Sequence, residues 1–79
     1  MNSILIKAEW DAEAEVWTAT SADVPGLVAE AASIEKLRPK VLAMIGDLVE
    51  EGVVDLGMTE IPVHIVATAH DSFKKHAAA

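Results

Sequence analysis

Apolar and polar residues alternate from Ser3 to Trp10. Ile4, Ile6, Ala8 and Trp10 fall on one side, and Leu5, Lys7 and Glu9 on the other. A period of two is the signature of a strand with one buried face. Asp11–Glu15 is a polar stretch of hairpin length, and Val16–Ser21, rich in β-branched residues, reads as a second strand. Pro25 and Gly26 then supply a fixed φ and a tolerated positive φ at successive corners of a turn. Leu27–Ala32 follows as a third strand. Connections this short imply an antiparallel meander.

The period changes at Ser33, a good helix cap. Ile34, Leu37, Val41, Met44 and Leu48 recur at three- and four-residue spacing, widened by Ile45 and Val49, so a helix is predicted to about Glu51. Glu35 suits the positive end of its dipole, and Gly52 suits a left-handed stop. Pro39 removes one backbone donor inside this helix, at a cost on the order of 3 kcal/mol. A kink near Arg38, or a main helix beginning at Pro39, is therefore expected. After a connection over 53–60, Ile61–Ala69 alternates again and reads as a fourth strand, with Pro62 at an edge or bulge.

The element order gives an α+β fold, βββαβ, with one helix packed on a four-stranded, mainly antiparallel sheet. The crossover rule makes the last strand parallel to the first, in the order 3-2-1-4. One sheet face stays uncovered and is expected to carry Leu5, Trp17 and Val66.

Composition narrows the function classes. Seventy-nine residues, 52% of them apolar and three aromatic, suit one small aliphatic core with apolar surface to spare. A surplus of this kind suggests a homodimer or higher assembly. There is no cysteine, which excludes disulfides and thiolate metal sites. A secretory leader and a membrane-spanning run are absent from the pattern, so a cytoplasmic protein with no membrane partner is expected. The net charge is −7, and residues 1–35 hold seven carboxylates against the single base Lys7. Phosphate binding needs the opposite sign, so direct nucleic-acid contact is not expected, whereas a basic protein would be attracted.

Candidate chemistry is sparse. Glu9, Asp11, Glu13 and Glu15 form an acidic hairpin, with Asp23 and Glu30 nearby. A hard cation needs oxygens converging on one point, and two-metal nucleases fix carboxylates on several strands. A mobile turn offers neither, so the hairpin reads as a solvated loop or a patch for a basic partner. His64, His70 and His76 stand six residues apart, unlike zinc-site spacings. No nucleophile–His–acid set or glycine-rich phosphate loop is present. No catalytic residue, metal site or cofactor is assigned. Trp17 is the aromatic residue expected to meet a partner if the two tryptophans lie on opposite faces.

The segments Ala8-Glu9-Trp10-Asp11, Val16-Trp17, Val24-Pro25-Gly26-Leu27, Glu30-Ala31 and Ser33-Ile34-Glu35 resemble the HicB-like antitoxin superfamily, and within it a short stand-alone group of bacterial proteins. The resemblance covers roughly residues 4–50. It implies a βββαβ fold related to a reduced ribonuclease H-like core, and a role in type II toxin–antitoxin pairs. In such pairs the domain covers a small basic toxin that cleaves messenger RNA. Many members add a C-terminal DNA-binding segment. Here ten residues follow Ala69, too few for such a module, so operator binding is not expected of this stretch. The expected organisation is a HicB-like domain over 1–70 and a polar, alanine-rich tail over 71–79. The expected function is a non-catalytic module for a small basic, toxin-like protein, using Leu5, Asp11, Glu13, Glu15, Trp17 and Asp23. The alternatives are a stand-alone homo-oligomer and a metal-dependent ribonuclease H-like enzyme.

Overall fold

The computed structural model describes residues 3–55, 57 and 60–76. Part of the predicted connection (56, 58 and 59) and the end of the predicted tail (77–79) lie outside the described residues. Four strands and one helix follow the predicted order: β1 (Ile4–Asp11), β2 (Val16–Thr20), β3 (Val28–Ala31), α1 (Ile34–Glu50) and β4 (Val63–Thr68). The sheet order is β3-β2-β1-β4, with β4 parallel to β1 and the other pairings antiparallel.

The alternation in β1 sets the faces. Ile4, Ile6 and Ala8 are wholly buried, and the register carries this face across the sheet. One row consists of Ala29, Ala19, Ala8 and Ala67, one alanine from each strand. Methyl-sized side chains let a helix approach a sheet closely. Leu37, Val41 and Ile45 of α1 complete the core on this side.

Helix α1 runs without interruption through Pro39, rather than beginning there. Ser33 Oγ accepts the Lys36 N–H at 3.2 Å, and the Leu37 N–H donates to the Ser33 carbonyl at 3.0 Å. The first turn is thus fixed before the proline is reached. Leu37 and Val41 are fully buried on either side of it. Burying such a side chain contributes about 1.5–3 kcal/mol, so two of them offset the cost of the missing donor. At the far end the Val53 N–H donates to the Leu48 carbonyl and the Gly52 N–H to the Val49 carbonyl, with Gly52 at φ 76°. This is the Schellman closure, which needs a left-handed residue at that position.

The Pro-Gly turn has a packing role. The Leu27 N–H donates to the Val24 carbonyl at 3.2 Å across Pro25 and Gly26, and Gly26 has φ 86°, the type II pattern. Both flanking side chains are buried: Val24 fully, and Leu27 almost so. The turn therefore folds two apolar anchors back into the core.

The loop before it supports β1. Beyond Thr20, Ser21 Oγ donates to the Leu5 carbonyl at 2.7 Å, and Asp23 Oδ2 accepts the Leu5 N–H at 2.9 Å. Side chains thereby replace the ladder bonds that β2 no longer supplies. Ser21 Oγ also accepts the Asp23 N–H at 3.1 Å, which holds the bracket rigid.

Helix orientation makes a direct prediction for urea unfolding. Leu37→Ala should lose about 2–5 kcal/mol, whereas Leu42→Ala, at a site 56% exposed, should lose under about 0.5 kcal/mol. Asp23→Ala should lose about 1 kcal/mol through the unpaired Leu5 amide. Equal losses at Leu37 and Leu42, or none at Asp23, would contradict this packing.

Candidate protein-binding surface

The odd-numbered residues of β1 point away from the helix, and the face they build has two bands. One cross-strand row reads Val28, Thr20, Lys7, Val66, and the row below it starts the Leu5–His64 pairing. Leu5, Val28 and Val66 are each more than half exposed there. The next row reads Glu30, Thr18, Glu9, Thr68, and Asp11 pairs with Val16 beyond it. The face thus passes from an apolar end to an acidic end over two or three residues of strand. Lys7 Nζ lies 3.2 Å from Glu9 Oε1, but both side chains are more than half exposed. Such a pair contributes little and leaves the acidic band net negative. A hollow of about 360 Å³ lined by Leu5, Lys7, Thr20, Ser21, Ala22 and Asp23 lies at the apolar end.

The predicted partner residues separate into two groups. Leu5 lies on this face as expected, and Asp11 stands at its acidic end. Asp11 Oδ1 also accepts the N–H groups of Glu13 and Ala14 at 3.1 and 3.2 Å, so it shapes the hairpin turn. Glu13 and Glu15 are exposed at the tip. Glu15 holds φ 56°, a left-handed conformation that disfavours a side chain, which fixes the direction in which the loop closes.

One expectation needs correction. Trp17 is not on the uncovered face: it pairs directly with Trp10 and with Ala31, on the same side as the helix. The four-residue loop from Ala12 to Glu15 sets this register, so both tryptophans share a face. Their ring centroids are 5.5 Å apart at an interplanar angle of 60°, a favourable tilted stack. Trp17 is half-buried against the core. Asp23, half-buried beside the apolar end, accepts the Leu5 N–H through Oδ2.

Sequence reasoning also overlooked Val28 as a surface residue. Its signal is parity with Glu30: Leu27, Ala29 and Ala31 alternate inward, which leaves Val28 and Glu30 on the outer side. Trp10 and Trp17 line a second hollow of about 420 Å³ with Ala32 and residues Ala69–Asp71 after β4. Among the described residues, no three His, Asp or Glu side chains gather closely enough to hold a metal ion. Among the same residues, no helix is long and apolar enough to cross a membrane.

Comparison with known proteins gives the kinship. A solved structure, the hypothetical protein TTHA1013 from the extremely thermophilic bacterium Thermus thermophilus, is 38% identical in sequence. The alignment covers 92% of this chain and 99% of that one, with a TM-score of 0.64. No curated protein matches the chain. The family model described as a domain of unknown function, DUF1902, matches residues 3–76. With that match spanning nearly all of its length, the chain belongs to the DUF1902 family.

Proposed function

We propose that this chain is a non-catalytic protein-binding module that takes a small basic protein on the uncovered face of its sheet, in the manner of a HicB-like antitoxin. The observation that carries this reading is the banding of that face. Leu5, Val28 and Val66 offer an apolar contact, and Glu9, Asp11 and Glu30 lie beside it. The hairpin acids Glu13 and Glu15 extend the negative end. Apolar contact area bordered on one side by charge suits a protein interface, whose rim is polar. The sign of the margin selects a basic partner and repels nucleic-acid phosphate. The segments resembling HicB-like antitoxins support the same class of partner.

Binding rather than catalysis is supported by the spread of the carboxylates. Asp23 and Asp11 are engaged with backbone amides, and Glu13 and Glu15 stand on a loop. The cysteine-free sequence suits the reducing cytoplasm, where we propose that the module acts.

The test starts from the gene adjacent to this one, which should encode a small basic protein. Its product, expressed alone, should arrest growth, and co-expression of this chain should restore it. Glu9→Lys combined with Glu30→Lys should weaken binding of that product about tenfold or more, with the unfolding midpoint little changed. Binding should also weaken as salt rises. An adjacent gene of another kind, or binding indifferent to the double charge reversal, would contradict the proposal.

A further inference from the structure

The two edges of the sheet are finished differently. β3 is four residues long, carries Glu30 and lies against the helix. Lys40 Nζ reaches down to donate to the Glu30 backbone carbonyl at 2.9 Å. A short edge, a charge and a covering element are devices that stop an edge strand from pairing with another chain. β4 has none of them. Val63-His64-Ile65-Val66-Ala67-Thr68 contains no proline, lysine or carboxylate. It pairs with β1 on one side, and among the described residues no hydrogen bond reaches its other side. Alternate N–H and C=O groups therefore face outward along it.

The burial of the side chains points the same way. Along the alanine row, Ala29, Ala19 and Ala8 are buried but Ala67 is exposed. Ile4 and Ile6 are fully buried, whereas their β4 neighbours Val63 and Ile65 are only half-covered. Val66, on the opposite face, is 51% exposed. The cover supplied by the helix ends between β1 and β4. In a chain of net charge −7, two copies repel across most orientations, and the β4 edge is a strip without a carboxylate where they can meet.

We propose that a second copy of this chain completes that edge. The two β4 strands pair antiparallel about a two-fold axis and join the two sheets into one of eight strands. A two-fold contact needs a patch complementary to itself, and an edge strand running antiparallel to its own copy satisfies this. Pro62 has no N–H to give, so the shared ladder is confined to residues 63–68. Val63 and Ile65 of each copy then gain cover on one face, and Val66 on the other. The chain beyond Thr68 runs on past the second copy, bringing Phe73, 92% exposed in the single chain, within reach of it. The acidic band, Leu5 and Val28 stay free; Val66, which the proposed function also counts as apolar contact, is the one residue the two proposals share, and the Glu9→Lys, Glu30→Lys variant, which leaves β4 intact, separates them.

Sedimentation velocity and amide exchange on the full chain test it together. At about 100 μM the sedimenting mass should be twice that of one chain. The outward amides of β4 should exchange at least about 100-fold more slowly than those of residues 70–76. Val66→Lys sets like charges near the two-fold and should raise the dimer dissociation constant about tenfold or more, with an unaltered circular dichroism spectrum. A single-chain mass at that concentration would overturn the proposal. So would a dimer with fast outward β4 amides, or one that Val66→Lys leaves intact.

Discussion

One helix cannot cover four strands. Strands spaced 4.7–4.9 Å apart spread roughly 15 Å between the outermost axes, while a helix with its side chains is about 10–12 Å across. This chain resolves the mismatch by setting α1 over β3 and β2, so that burial declines toward β4 along the cross-strand rows of the covered face. The fully buried residues Ile4, Ile6, Val24, Leu37 and Val41 mark where helix, turn and sheet coincide. Apart from the small alanines set among them, the other apolar residues of the sheet are partly open to solvent or on the far side.

The local devices serve that small core. Gly26 allows a turn tight enough for Val24 and Leu27 to enter together. Ser21 and Asp23 hold β1 where β2 ends, so the strand with the most fully buried residues is supported on both sides. Ser33 and Gly52 close the two ends of a helix that contains a proline and lacks intrinsic stability. Two surfaces remain: a banded acidic and apolar face, and a bare parallel edge. The proposed protein-binding role rests on the first of these surfaces, and the proposed self-pairing on the second.

Much of the fold was legible in the sequence because its signals are local. The alternation of Ile4, Ile6 and Ala8, the capping Ser33 and the stripe Leu37–Val41–Ile45 each follow from backbone geometry within a few residues. The strand order followed from short connections and one crossover. The face of Trp17 depends instead on register, and register depends on the Asp11 turn and the left-handed Glu15. Asp23 resembles any other exposed acid until the loop brings it to Leu5, eighteen residues away. The fading cover over Ala67 depends on the lateral position of the helix, which no periodicity encodes.

The central claim is that a single face of the sheet is sheltered and the opposite one is bare. Hydroxyl-radical footprinting of the full chain in solution reads this most directly. Leu5 and Val28 should be modified freely, while Ile4, Ile6 and Leu37 remain silent. Protection of Leu5 and Val28 equal to that of Ile4 would mean that both faces are covered, and the account would fail.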